Sequence, residues 1–278
     1  MPFITTQDNT EIYYKDWGTG TPVVLIHGWP ANADMWEHQA LFLAERGFRV
    51  ISYDRRGFGR SSQPYTGHEY NTLADDLATL MDKLDLHNAA LVGFSMGGGE
   101  VVRYLSKHGS ARVSKAVLIG AVTPFMLKTE DNPDGAPPEL FDGFREGLRK
   151  DRFAFLADFT PSFYGRTLIN HTVSQQVIDW TFAMAIMASP KATIDDVTAF
   201  SATDFRAEMK TLQTPFLIIH GTADKTVPIE ISGRKSAEIL PNATMIEYDG
   251  EPHGLFATVP DRLNQDLLHF LSGDTQAV

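Results

Sequence analysis

The motif Gly-Phe-Ser-Met-Gly at positions 93–97 lies between an apolar run at 88–92 and a helix-like run at 100–105. The apolar run predicts a buried β-strand, and the residues after the motif predict a helix. A strand and a helix joined so closely must turn sharply, and side chains two positions before or after the serine would clash there. We therefore predict a strand, a sharp turn and a helix, with Ser95 at the tip of the turn and at the helix N-terminus.

Strand-like and helix-like segments alternate on both sides of this turn. Segments that predict strands occur at 3–6, 11–17, 23–26, 48–53, 88–92, 115–120, 215–221 and 244–248. Segments with the apolar spacing of a helix occur at 35–46, 73–84, 230–240 and 261–271. A strand, a helix and a second strand in succession form a right-handed unit with parallel strands. We therefore predict an α/β fold with a mostly parallel central sheet flanked by helices.

The alternation stops between residues 123 and 211. Four prolines in the segment 124–138 predict irregular backbone. Beyond it, no stretch has the pattern of a buried strand, and helix-like segments follow at 140–150, 151–159, 174–187 and 192–200. An all-helical insertion in an alternating fold predicts a cap above the C-terminal edge of the sheet. We expect a core of residues 1–122 and 212–278, with a helical cap of residues 123–211 inserted after the sixth strand.

The composition narrows the range of functions. The 278 residues include 24 Lys and Arg against 35 Asp and Glu, a formal net charge of −11, with no basic block. We therefore expect no nucleic-acid partner and no membrane partner. The lack of cysteine excludes disulfides, Cys-based zinc sites and iron–sulfur clusters, and the histidines show no metal-ligand spacing, so we expect no metal. Neither a secretory signal pattern nor a run of about 20 apolar residues occurs, so a cytoplasmic enzyme is expected.

Two later motifs complete a catalytic set with Ser95. A serine hydroxyl is a poor nucleophile at neutral pH and needs a base that a third group holds in place. Asp224 follows the predicted strand 215–221, and His253 follows the predicted strand 244–248, so all three lie at C-terminal strand ends. We predict that Ser95 is the nucleophile, His253 the base and Asp224 its partner. Taken singly, Asp224 could cap its turn and His253 could be structural, but their joint order after Ser95 favours catalysis.

The oxyanion of a tetrahedral intermediate needs preorganised hydrogen-bond donors. The backbone amide of Met96, at the start of the predicted helix, is one candidate donor. Trp29, in the loop after the strand 23–26, is the second candidate, because Pro30 has no amide hydrogen. His27, which ends that strand, is expected only to hold the loop.

The substrate pocket is expected beneath the helical cap and should be small and apolar. The region that would roof Ser95 contains four phenylalanines that are candidates for the pocket walls: Phe125, Phe144, Phe159 and Phe163. Alternatively, some of them only pack the cap helices against each other. Four further residues are expected at the substrate: Pro30, Val122, Thr226 and Val227.

The motifs together resemble a known family, the cofactor-free bacterial haloperoxidases and aryl esterases of the α/β-hydrolase fold. The resemblance rests on His-Gly-Trp-Pro at 27–30, Tyr-Asp-Arg-Arg-Gly-Phe-Gly-Arg-Ser at 53–61, Gly-Phe-Ser-Met-Gly-Gly-Gly at 93–99 and Gly-Ala-Val-Thr-Pro at 120–124. It continues through the cap at 151–152, 163–165, 191–193 and 203–206, and so covers essentially the whole chain. It implies an α/β-hydrolase fold that needs no metal and no organic cofactor.

The resemblance also implies an activity. It is that of a serine hydrolase that cleaves small aryl or alkyl carboxylic esters through an acyl-enzyme, with Ser95, His253 and Asp224 as the triad. Trp29 and Met96 would supply the oxyanion amides. Many family members also perform perhydrolysis, in which hydrogen peroxide replaces water and the released peracid oxidises bromide or chloride. The implied partners are a small-molecule ester or carboxylic acid and hydrogen peroxide, and relatives are often homo-oligomers.

Other activities share this triad. Some relatives open lactones or a strained γ-lactam, and hydroxynitrile lyases and C–C bond hydrolases keep the same three residue types. Haloalkane dehalogenases and epoxide hydrolases need a carboxylate where this chain has Ser95, so both are disfavoured. A non-catalytic ligand sensor on the same fold is a further alternative, although such proteins usually lack a triad residue.

Position 30 bears on the choice between hydrolysis and perhydrolysis. Esterase-leaning members often have Leu after the Trp, whereas this chain has Pro30. A proline fixes its own φ and restricts the preceding residue, so Pro30 can re-aim the Trp29 carbonyl. That carbonyl could accept a hydrogen bond from peroxide as it attacks the acyl-enzyme. We therefore predict that Pro30 favours perhydrolysis.

Overall fold

One central sheet organises the chain, and the computed structural model describes residues 2–167 and 172–273. The strands are β1 Phe3–Thr5, β2 Glu11–Trp17, β3 Thr21–Ile26, β4 Phe48–Tyr53, β5 Ala89–Phe94, β6 Val113–Ile119, β7 Phe216–Gly221 and β8 Ala243–Tyr248. Within the described residues they form one sheet in the order β1-β2-β4-β3-β5-β6-β7-β8. β2 is antiparallel to β1 and β4, and the remaining neighbours are parallel. The predicted mostly parallel sheet is confirmed.

Helices cover both faces of this sheet. They are α1 Glu37–Ala44, α2 Tyr70–Lys83, α3 Met96–His108, α4 Pro138–Phe163, α5 Gln175–Ile186, α6 Pro190–Ala202, α7 Arg206–Met209, α8 Gly233–Ile239, α9 Leu255–Thr258 and α10 Pro260–Ser272. The sequence patterns did not predict α7 and α9, because four residues are too few to show a helical period. Among the described residues, none of the helices is both long enough and apolar enough to cross a membrane.

The central strands are buried from both sides, as β3 illustrates. Val24 and Ile26 pack in one apolar cluster with residues of α2 and α3. Val23 and Leu25 point to the other face and pack with residues of α1 and α10. All four side chains are fully buried. A strand covered on both faces needs apolar residues at every position, which explains the continuous apolar runs in the sequence.

Between β6 and β7 the chain forms the helices α4 to α7 in place of a further strand. The segments 140–150 and 151–159, predicted as two helices, belong to the one element α4, which is interrupted by extended backbone at Asp151 (φ −155°, ψ 91°). The insertion is joined to the sheet by hydrogen bonds. Trp29 Nε1 donates to the Thr193 carbonyl at 3.1 Å, and the Ser189 amide donates to the Gly57 carbonyl at 2.7 Å. These bonds hold α6 above the loops that follow β3 and β4.

Candidate active site

Ser95 occupies the sharp turn between β5 and α3. Its backbone has φ 53° and ψ −119°, a conformation that costs free energy for a residue with a side chain. The turn is held in part by the Ser95 amide, which donates to the Ile119 carbonyl at 2.9 Å. A Cβ at Gly93 would lie 2.4 Å from the Gly97 carbonyl oxygen, and one at Gly97 would lie 2.5 Å from the Ile26 carbonyl oxygen. The two glycines of the motif are therefore required by close backbone approach, as the sequence indicates.

The structure brings Ser95, His253 and Asp224 into one hydrogen-bonded chain. His253 Nε2 lies 3.0 Å from Ser95 Oγ, and His253 Nδ1 lies 2.5 Å from Asp224 Oδ2. An ionised carboxylate only accepts hydrogen bonds, so Nδ1 carries the hydrogen and Nε2 is free to accept the serine proton. All three residues are buried. This is the geometry of a serine nucleophile with its base and orienting acid.

The Asp224 carboxylate is held by its own loop. Its Oδ1 accepts hydrogen bonds from the amides of Thr226 at 2.9 Å and Val227 at 2.8 Å. Burial acts to raise the pKa of Asp224, but the neighbouring His253 and His220 outweigh it and hold that pKa below its usual range. Asp224 therefore stays ionised throughout the neutral pH range and can stabilise a positive charge on His253.

The His253 ring is clamped between aromatic side chains. Phe94 packs against it with ring centroids 4.8 Å apart, and Phe163 meets it edge-on at the same centroid distance. On another side, a Cβ at Gly120 would come within 3.2 Å of Nδ1. Phe163 was expected to line the substrate pocket. It instead packs against the His253 ring, because it ends α4 beside the loop that carries His253.

A cavity beside Ser95 comprises about 440 Å³ of space between its lining atoms, part of it open to solvent. Trp29, predicted as an oxyanion residue, lines this cavity. So do five of the predicted substrate residues: Val122, Phe144, Phe159, Thr226 and Val227. Four wall residues were missed by sequence reasoning: Met126, Leu140, Phe141 and Phe200. Leu140, Phe141 and Phe144 lie on one turn of α4, so a helical-face analysis anchored on Phe144 could have found the first two.

Two other predicted substrate residues do not line this cavity. Phe125 is buried beneath the Arg206 guanidinium, which lies 5.1 Å from its ring centre, and it is not among the residues that line the cavity. Pro30 is buried directly after Trp29, with a cis peptide bond between the two residues. Any effect of Pro30 on a substrate must therefore pass through the backbone of Trp29.

One candidate oxyanion amide belongs to the residue directly after Ser95, and the other belongs to a loop that contacts Ser95. Met96 is the first residue of α3, where an amide has no partner within the helix and the helix dipole favours negative charge. The loop that carries Trp29 contacts Ser95 closely, because a Cβ at Gly28 would be only 2.9 Å from Ser95 Cβ. The Trp29 ring is fixed by its bond to α6 and by packing against Phe200 at 5.7 Å between ring centroids.

A buried polar network lies beneath the loop 27–29. His27 Nε2 accepts a hydrogen bond from the Arg55 amide at 2.9 Å, and Arg55 Nε donates to Glu100 at 2.9 Å. Burial, and then the charge of Arg55, hold the pKa of His27 well below its usual range. His27 is thus a neutral structural residue, as expected from its position. Among the described residues, no group of three or more His, Asp or Glu side chains is arranged to hold a metal ion.

Comparison with known proteins agrees with this geometry. The profile of the alpha/beta hydrolase fold family matches residues 21–259, most of the chain. The chain belongs to the α/β-hydrolase family. The α/β-hydrolase fold expected from the sequence is therefore confirmed.

Individual relatives show which members of the family this α/β-hydrolase resembles. A non-heme chloroperoxidase from Streptomyces lividans is 48% identical over 98% of this chain and 99% of its own length. The bifunctional esterase/perhydrolase DCH from Acinetobacter calcoaceticus is 44% identical, with 98% and 99% covered. The crystal structure of a bromoperoxidase from Bacillus anthracis superposes with a TM-score of 0.94, at 48% identity, over 98% of this chain and 100% of that one. The resemblance to cofactor-free haloperoxidases and aryl esterases is thus confirmed across nearly the full chain.

Proposed function

We propose that this α/β-hydrolase is a serine esterase that cleaves small carboxylic esters through an acyl-enzyme and, with hydrogen peroxide, releases a peracid. The observation that carries the proposal is the hydrogen-bonded chain from Ser95 through His253 to Asp224, which opens onto an apolar cavity. Full-length relatives named chloroperoxidase and esterase/perhydrolase support the same activity. Apparent halogenation would follow when the peracid oxidises halide outside the site.

In the first half-reaction, His253 Nε2 takes the proton of Ser95 as its oxygen attacks the ester carbonyl. The negative charge that develops on the carbonyl oxygen would be bound by the amides of Trp29 and Met96. Asp224 remains ionised and stabilises the imidazolium. His253 then gives its proton to the departing alcohol, and the acyl group stays on Ser95.

The second half-reaction repeats these steps with a different nucleophile. His253 takes a proton from water or from hydrogen peroxide, and the resulting oxygen attacks the acyl carbon. The proton returns to Ser95 Oγ as the ester bond to the enzyme breaks. Water releases the carboxylic acid, and hydrogen peroxide releases the peracid. Hydrolysis needs no oxidant, and perhydrolysis needs only hydrogen peroxide. The same three residues therefore serve both routes.

The walls of this cavity limit the part of the substrate that lies beside Ser95 to small and apolar groups. Phe144, Phe159 and Phe200 surround the Trp29 ring, leaving little room for polar substituents near Ser95. We also propose that the residues 123–211 act as a cap over the core residues 1–122 and 212–278. In support, walls from the inserted helices α4 and α6 face walls from the loop that carries Thr226.

A panel of aryl acetates, longer acyl esters and lactones tests the proposal, run with and without hydrogen peroxide and with direct detection of peracid. The wild-type protein should cleave the short esters and, with peroxide, form peracid. Ser95→Ala should abolish both reactions while leaving the fold intact. The matched control, Ser106→Ala, removes an exposed hydroxyl from the same helix and should keep both. Esterase activity retained in Ser95→Ala, or confined to lactones in the wild type, would overturn the assignment.

A further inference from the structure

A second cavity adjoins the first and shares four of its walls, Leu140, Phe144, Phe159 and Thr226. It encloses about 1340 Å³ of space, part of it open to solvent. We call it the vestibule. Beyond the shared residues it is lined by more polar groups, among them Ser162, Arg166, Thr172 and Lys225. Because the same four side chains line both cavities, the cavities are adjacent. A substrate bound at Ser95 can extend past these side chains into the vestibule.

The charge of the vestibule is opposite to that of the protein. Arg166 and Lys225 are the charged residues on its described lining, and no described lining residue is a carboxylate. The whole chain carries a formal net charge of −11. A positive cavity in an acidic protein attracts anions locally.

Neither cation of the vestibule forms an ion pair with a described residue. Arg166 Nη1 is buried without a hydrogen-bond partner, and Lys225 forms no ion pair with any described residue. By contrast, Arg206, Arg234 and Lys235 each bind a carboxylate of this chain. Nη1 is closed off from the vestibule, so the remaining part of the guanidinium lines it, and a planar guanidinium matches a carboxylate well.

We propose that the vestibule is an anion subsite, in which Arg166 and Lys225 bind a free carboxylate at the far end of the substrate whose ester carbonyl lies at Ser95. The preferred substrates are therefore half-esters of dicarboxylic acids. The apolar shared walls contact the linking chain, and the two cations contact its terminal carboxylate. Lys225 directly follows Asp224, so one loop holds both the catalytic acid and part of the subsite. This inference rests on the proposed esterase function.

The test compares two series of p-nitrophenyl esters of increasing acyl length, one from dicarboxylic acids and one from the matching monocarboxylic acids. The measured quantity is the ratio of kcat/KM for the charged ester to kcat/KM for the neutral ester of the same length. At the best length, Arg166→Gln should lower this ratio about tenfold, mainly through KM, and Lys225→Gln should lower it less. Arg166→Lys should keep part of the wild-type ratio, and added salt should lower the ratio measured for the wild type.

The control variant Arg149→Gln removes the same charge from an exposed position on α4 and should leave the ratio unchanged. An unchanged ratio in both Arg166→Gln and Lys225→Gln overturns the subsite, and so does an equal fall in Arg149→Gln. Lys225 is exposed, so its variant keeps the test valid if Arg166→Gln fails to fold. Failure of the proposed function looks different: the wild type would then cleave neither ester series.

Discussion

His220 Nε2 lies 3.3 Å from Asp224 Oδ2, the same carboxylate oxygen that binds His253. The same nitrogen lies 2.8 Å from the Val227 carbonyl oxygen. Both neighbours are acceptors, so Nε2 of His220 must carry the hydrogen. The hydrogen bond to Val227 ties the end of β7 to the loop whose amides hold Asp224. We therefore expect His220 to act as a positioning residue for Asp224.

Removal of this donor should slow turnover. In His220→Phe the ring shape is retained but the bond to Val227 is lost, so Asp224 and with it His253 become less well oriented. We expect kcat for short esters to fall about tenfold or more, with KM changed much less. His220→Gln is the matched variant, because its amide can reach the position of Nε2 and donate, and it should keep most of kcat. Wild-type kcat in His220→Phe would show that the second histidine does not act through Asp224.

Pro30→Leu should change which nucleophile resolves the acyl-enzyme. The Trp29 ring is fixed by Thr193 and by Phe200, so a change at position 30 acts chiefly on the Trp29 backbone. If the Trp29 carbonyl binds the attacking peroxide, its movement should lower the ratio of peracid to acid about 3- to 10-fold, the effect of one neutral hydrogen bond. The ratio is measured at fixed peroxide concentration with direct peracid detection.

The comparison for Pro30→Leu is Pro241→Leu, which replaces an exposed proline before β8. That substitution should leave the product ratio unaltered. Should Pro30→Leu give the wild-type ratio as well, the proposed role of the Trp29 carbonyl is wrong.

Much of the fold, and the meeting of Ser95, His253 and Asp224 at one edge of the sheet, could be predicted because the signals are local. The contact that requires a glycine at position 93 lies within the turn itself, because a Cβ there would meet the Gly97 carbonyl. Asp224 follows the apolar run of β7, and His253 follows β8, a short strand of apolar and polar residues. C-terminal ends of parallel strands meet at one edge, so the order of the motifs was enough to bring the three residues together. No long-range packing had to be known.

The pocket walls were harder to predict because they depend on how the inserted helices face the sheet. Composition marks Phe163 and Phe144 alike as cap aromatics, yet one packs on His253 and the other lines the cavity. A helix with apolar residues on several sides does not reveal which side faces the substrate. Arg166 was missed for a similar reason, since a lone arginine in an irregular segment looks solvated until the cavity is seen. Asp196, within a predicted helix of the cap, gave no sign of being fully buried.

Asp196 should make the protein less stable as the pH rises. Neither carboxylate oxygen has a hydrogen-bond partner. Burial, reinforced by Glu100 and Asp195 and opposed by Arg55, raises the pKa of Asp196 well above its usual value of 3.8. The folded state therefore binds this proton more tightly than the unfolded state does. Its contribution to stability is fully present below about pH 3.8 and is lost as the pH rises towards the raised pKa.

The amide at position 196 of the Asp196→Asn variant cannot ionise. As the pH rises from acid to neutral, the Tm of the variant should therefore rise relative to that of the wild type. We expect the difference in Tm between variant and wild type to grow by about 3 °C or more over that range, measured by thermal denaturation in buffers of equal ionic strength. The new amide can also change Tm by the same amount at every pH. That constant change does not matter, because only the pH-dependent part of the difference in Tm reports on ionisation. Asp195→Asn, next in sequence but half-exposed and paired with Lys191, should show no comparable growth. Parallel pH profiles for Asp196→Asn and the wild type would mean that Asp196 is not protonated in the folded state.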